Sequence, residues 1–121
     1  MKSSIERVIK GREKNLGEGI KIRRTLPHPQ KKMVGPFIFW DHIGPIELGG
    51  ETKLTVRAHP HIGLATITYL FSGEIMHRDS LGNIQSIKPG AVNWMTAGLG
   101  IVHSERAESA EGSQTLEGIQ L

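Results

Sequence analysis

Six histidines, His28, His42, His59, His61, His77 and His103, are the side chains of this 121-residue sequence best suited to chemistry near neutral pH. Two local patterns single out four groups. In His59-Pro60-His61, side chains two apart on an extended strand leave the same face, so two imidazoles stand side by side. Pro60 cannot donate to a ladder, which places the stretch at an edge, a bulge or a strand start. His103-Ser104-Glu105 repeats the pattern, with Ser104 turned away. Two such strands facing one another would offer three imidazoles and one carboxylate to a single ion. That donor set suits Fe(II), Mn, Ni, Cu or Zn rather than Ca or Mg. Four ligands leave positions open on a six-coordinate ion, as an oxygen-dependent or Lewis-acid site requires. Neutral imidazole is the ligand form, so affinity is expected to fall below about pH 6. An isolated His-x-His is commonly a plain surface pair; the second pattern some forty residues on puts a metal site level with that reading.

Other residues are read as structural. Gly98-Leu99-Gly100 starts like a dinucleotide fingerprint, but no long helix follows and it reads as a tight turn. His103, Ser104 and Glu105 cannot form a nucleophilic triad, because strand neighbours point oppositely. His77-Arg78-Asp79 is expected to tie down a hairpin before Leu81-Gly82-Asn83. Phe71, Trp94 and Met95 are assigned to the core, His42 to a turn and His28 to the surface.

The elements that must position these groups are short. Fifteen glycines and six prolines leave room for one helix, Ser3 to Lys14. Strand-like runs follow at Met33–Trp40, Lys53–Ala58, Ala65–Phe71, Glu74–Arg78, Ile84–Ile87, Ala91–Met95, Ile101–Glu105 and Thr115–Leu121. Gly49-Gly50, Ser72-Gly73, Leu81-Gly82-Asn83, Pro89-Gly90 and Gly98-Leu99-Gly100 separate them. Many short strands with regular turn signals predict an all-β sandwich, jelly roll or barrel. The alternation in Thr115–Leu121 runs to the last residue, a pattern expected of a fragment.

Composition bounds the rest. At 37% apolar and 22% charged, the chain can build one modest core. No apolar run approaches the roughly 18 residues of a spanning helix, so a cytoplasmic domain without a membrane partner is expected. Absence of cysteine excludes disulfides, thiolate metal sites and cysteine nucleophiles. Residues 1–35 carry ten Lys/Arg and three Asp/Glu, and residues 36–121 carry five and nine. The net +3 therefore hides a basic leading end. With no aromatic residue before Phe37 to stack on bases, that end reads as a solvated arm and no nucleic-acid partner is expected.

Several multi-residue motifs resemble the pirin family. They are Gly35-Pro36-Phe37-Ile38-Phe39-Trp40-Asp41-His42-Ile43-Gly44-Pro45, His59-Pro60-His61-Ile62-Gly63-Leu64-Ala65-Thr66-Ile67-Thr68-Tyr69-Leu70, His77-Arg78-Asp79-Ser80-Leu81-Gly82-Asn83, Trp94-Met95-Thr96-Ala97-Gly98 and Gly100-Ile101-Val102-His103-Ser104-Glu105. The resemblance runs from about residue 20 to the end. It implies a cupin, a small antiparallel β-barrel or jelly roll, here one half of a two-cupin architecture. Residues 1–20 would be a basic leading segment and residues 21–121 the cupin domain. By position, it implies the metal ligands His59, His61, His103 and Glu105, the last also a candidate catalytic base. Ala65 stands where many pirins have a glutamate. The family's usual metal is iron, and some members open the ring of quercetin with dioxygen. The resemblance therefore implies an Fe(II)-dependent quercetin 2,3-dioxygenase-like oxidoreductase acting on a flavonol and dioxygen. Its alternative is a non-catalytic, redox-sensitive co-regulator that binds proteins through Lys21 to Lys32. A lone half should expose an apolar patch and an unpaired edge at Thr115–Leu121, predicting a homodimer.

Overall fold

The computed structural model describes residues 4–16, 20–107 and 112–121. Ten strands follow in chain order: β1 (Arg12–Asn15), β2 (Lys21–Leu26), β3 (Trp40–Leu48), β4 (Leu54–His61), β5 (Ala65–Ser72), β6 (Ile75–Asp79), β7 (Ile84–Ile87), β8 (Val92–Thr96), β9 (Ile101–Ala107) and β10 (Gln114–Gln120). All pairings are antiparallel. One sheet has six strands in the order β1-β2-β3-β10-β5-β8; the other has four, β4-β9-β6-β7.

The two sheets pack face to face as a jelly roll of the cupin type. Ile22, Ile43, Leu70 and Leu116 from the first sheet meet Leu54, Ile75, Ile87 and Ala107 from the second in one buried cluster. Met95, Ala97 and Ile101 form another. Ladder hydrogen bonds do not join the two sheets among the described residues, so this is a sandwich and not a closed barrel.

Three expectations are corrected. The helix over Ser3 to Lys14 is absent: Ser3 lies outside the described residues, and from Ser4 to Lys14 there is no helix. Ile5 and Val8 are exposed, so a helix there would have no buried apolar stripe to hold it. Instead β1 pairs with β2 from within the expected leading segment. The predicted strand over Met33–Trp40 is a loop, closed by paired Val34–Phe37 backbone bonds around Gly35-Pro36, and β3 starts only at Trp40. The strand at Thr115–Leu121 exists but is no free edge, since β10 lies between β3 and β5.

The sequence Gly44-Pro45 looks like a turn, yet β3 runs through it. Gly44 has φ +78°, and a Cβ there would sit 2.2 Å from the Leu116 carbonyl oxygen. Only glycine lets β10 approach this closely. His42 is consequently in mid-strand, between Arg23 and Glu117, rather than in a turn. His28 is half-buried, and its Nδ1 accepts from the Gln30 N–H.

Candidate metal centre

Along β9, Ile101, His103, Glu105 and Ala107 are all buried, so one strand face carries two apolar and two polar groups in alternation. The polar pair therefore lies between the two apolar clusters. β4 brings its histidines to the same place by an irregularity. Leu54 and Val56 pair with Ala107 and Glu105, whereas His59 and His61 pair with His103 and Ile101, with a register shift between Val56 and His59. One extra residue in β4 reverses which alternate positions face inward, from even-numbered Leu54 and Val56 to odd-numbered His59 and His61. β4 is also an edge strand, where Pro60 costs no central ladder bond.

The rings of His59, His61 and His103 stand 4.4–4.9 Å apart, centroid to centroid. His61 Nε2 lies 3.0 Å from His103 Nε2. Two nitrogens bound at about 2.1 Å and at right angles on one ion would lie about 3.0 Å apart, so the spacing fits a shared first-row metal. His59 Nδ1 lies 2.8 Å from the Arg57 carbonyl oxygen. An N–H there donates to that oxygen and leaves Nε2 as the lone-pair nitrogen.

Not all four expected residues fall in one group. His59, His61 and His103 can offer ligand atoms within 4.8 Å of one another; Glu105 belongs to a second such group with His103 and His77. Within it, His77 Nδ1 is 3.4 Å from His103 Nδ1. The hairpin role expected of the His77-Arg78-Asp79 stretch falls to Asp79. Its Oδ1 accepts from the Leu81 and Asn83 N–H groups, and both its oxygens accept from the Asn83 amide.

Burial sets the charge states. It pushes His103 down to about 4, helped by the positive charges His59, His61 and His77 would carry, with Asp79 opposing. Burial, then His59, likewise lowers His61. Burial raises Glu105, against the Gln120 hydrogen bond and the nearby His77 and His59. His103 thus stays in its ligand form well below the pH 6 expected from sequence. In the metal-free protein, unfolded His103 binds its proton near 6.5, but the folded residue does so only near 4. Between those values the unfolded state holds more protons, so stability should fall as pH drops from about 6.5 toward 4. Urea midpoints across that window check this. Comparison with His103→Ala isolates the histidine from Glu105, whose raised value acts with the opposite sign. Equal pH slopes for parent and variant would contradict it.

A cavity of about 640 Å³ opens beside His61, with Phe37, Phe39, Leu64 and Trp94 among its walls. Trp94 and Phe71, assigned to the core from sequence, are 65% and 52% exposed; Met95 is buried as expected.

The family model described as Pirin matches residues 19–121. The chain belongs to the pirin family. It is 51% identical over 119 residues to a pirin-like protein of Caulobacter vibrioides, covering 96% of this chain and 41% of that protein. A crystal structure of quercetin 2,3-dioxygenase from Acinetobacter baumannii superposes with TM-score 0.85 at 43% identity, covering 92% of this chain and 36% of that one. The bacterial pirin YhhW from Escherichia coli, in complex with nickel(II), shares the fold at TM-score 0.70 and 24% identity, over 92% of this chain and 48% of its own. This pirin chain thus spans about two fifths of the length of the curated relative it matches at 51% identity. No helix among its described residues is long and apolar enough to cross a membrane.

One polar residue of this pirin was not visible from sequence. Gln120, on β10, donates to both Glu105 oxygens at 3.0 and 3.2 Å and to Thr68 Oγ1 at 3.1 Å. It connects the six-stranded sheet to the centre carried by the four-stranded one. Nothing in the pattern of Thr115–Leu121 marks it, because its role depends on β10 lying opposite β9.

Proposed function

We propose that this pirin chain holds Fe(II) through His59, His61, His103 and Glu105 and serves a quercetinase-like dioxygenase reaction on flavonol-type substrates. The observation that carries the reading is the His61–His103 spacing beside an aromatic-walled cavity. The metal, when bound, would supply Lewis-acid and oxygen chemistry. The chain's residues do the remainder. Phe37, Phe39 and Trp94 offer apolar faces to a flat aromatic substrate. Burial raises the proton affinity of Glu105, which suits it to take a proton from an acidic hydroxyl. Gln120 holds that carboxylate in place.

The direct test incubates the iron-loaded protein with quercetin and dioxygen. Substrate loss above that given by free iron is expected; loss no greater than free iron sinks the reading for this flavonol. The co-regulator alternative has less support, because its basic contact segment is partly committed: Arg24 binds Asp41 and Arg23 meets His42. The homodimer belongs to the same proposal. Exposed Phe71, Val92 and Trp94 on β5 and β8 supply the apolar patch, although the free-edge argument no longer stands. Sedimentation at micromolar concentration decides it, and a clean monomer removes it.

A further inference from the structure

We infer that His77 is a positioning residue: it fixes the tautomer of His103 so that Nε2 presents a lone pair toward His61, and Asp79 fixes His77 in turn. This rests on the proposed role of His103 as a ligand. A neutral imidazole carries one N–H and one lone pair, and the partner of one nitrogen decides the job of the other. His103 turns Nε2 to His61 at 3.0 Å and Nδ1 to His77 Nδ1 at 3.4 Å. His77 turns its own Nε2 to Asp79 Oδ2 at 3.3 Å.

Asp79 supplies the direction. An ionised carboxylate only accepts, so the His77 proton belongs on Nε2. That leaves the His77 Nδ1 lone pair to accept, which calls for the His103 proton on Nδ1. The lone pair of His103 then lies on Nε2, the nitrogen that faces His61. Asp79 is itself anchored by the Leu81 and Asn83 N–H groups and the Asn83 amide, so the turn after β6 holds the far end of the relay. The His77 and Asp79 side chains are 4% and 5% exposed and His103 is 2% exposed, which leaves little room for water to substitute for these partners.

The same residues admit a competing role. His77, His103 and Glu105 could hold an ion themselves. His103 would have to use Nδ1 to share an ion seated on its His77 side, and that nitrogen cannot at once donate to His77. The two roles therefore exclude each other and can be separated.

Two substitutions make the separation. His77→Leu removes the acceptor and keeps most of the volume. His77→Asn keeps an acceptor oxygen at the same number of bonds from the backbone as Nδ1. Nickel(II) affinity of the full chain is read by competition titration, with His61→Ala alongside. Loss of an outer partner of a ligating histidine typically weakens metal binding about 10–100-fold. His77→Leu should show such a loss, and His77→Asn should return to within about threefold of the parent. Parent-like affinity in His77→Leu overturns the inference. So does an equal loss in both variants, which is the signature of a direct ligand or of packing. If His61→Ala binds nickel(II) as tightly as the parent, it is the metal-centre reading itself that fails. Nitrogen NMR of the metal-free parent gives a reading independent of any variant: His103 should carry its proton on Nδ1 at neutral pH. A proton on Nε2 overturns the inference.

Discussion

His103→Ala should weaken metal binding by at least 10–100-fold, about 1.4–2.7 kcal/mol, and by more than any other single histidine replacement. That range is the usual cost of losing an outer partner, so it is a floor for a ligand. His103 is placed to exceed it because it belongs to both groups of possible ligands, while His59 and His61 belong only to one and His77 only to the other. Its imidazole also touches three others, with ring centroids 4.4 Å from His59, 4.9 Å from His61 and 5.1 Å from His77. Removing it leaves no group with three members intact. His61→Ala should cost less, because His103 then remains within ligand distance of both His59 and Glu105. His42→Ala is the control, since that ring meets Arg23 and Glu117 elsewhere on the six-stranded sheet. Competition titrations on the four proteins, each checked for folding, give the ranking. Affinity in His103→Ala within twofold of the parent would remove it from the site.

The histidine pairs were legible because strand alternation is local: residues two apart share a face whatever the rest of the chain does. What alternation cannot show is which face is inward. In β4 the even positions Leu54 and Val56 point to the core, and only the shift before His59 turns the odd positions in. The neighbourhood of His77 is hidden for a related reason. β6 pairs with β9 so that His77 lies opposite Glu105 and Asp79 opposite His103, a long-range register with no local signature. The run Met33–Trp40 erred the other way. Phe37 and Phe39 gave it the apolar content of a strand, but they line a cavity instead of feeding a ladder. β2 has little local signature because Lys21, Arg23 and Arg24 dilute its pattern, although Ile22 and Leu26 are fully buried. The all-β class holds all the same, since turn residues and strand lengths are themselves local; the antiparallel pairing is implied by the family resemblance.

Arg24 is where the largest loss of stability is expected. Its Nε and one terminal nitrogen each donate to a different oxygen of Asp41 at 2.7 Å, the paired geometry that a guanidinium alone provides. The guanidinium carbon lies 4.5 Å from the Phe39 ring centroid, adding a cation–π contact on one wall of the cavity. Asp41 raises the Arg24 pKa by hydrogen bonding and charge, against desolvation. The Asp41 side chain is 4% exposed and Arg24 21%, so the carboxylate depends on its partner far more than the cation does. Arg24→Ala would strand that carboxylate, a defect that costs about 3–5 kcal/mol when a buried pair is broken. In a chain of this size that corresponds to a fall in Tm on the order of 10–20 °C. Arg24→Lys keeps the charge but loses the second bond and should fall between. Asp41→Ala combined with Arg24→Ala should recover part of the loss, because no buried charge is then left unpaired. The defect also reaches the site, since Asp41 lies opposite Gln120 in the β3–β10 ladder and Gln120 holds Glu105. Urea and thermal unfolding of the metal-free variants measure the effect without the metal's contribution. A loss below about 1 kcal/mol for Arg24→Ala would reduce the pair to an ordinary surface contact, and with it the claim that β3 braces the Gln120–Glu105 link.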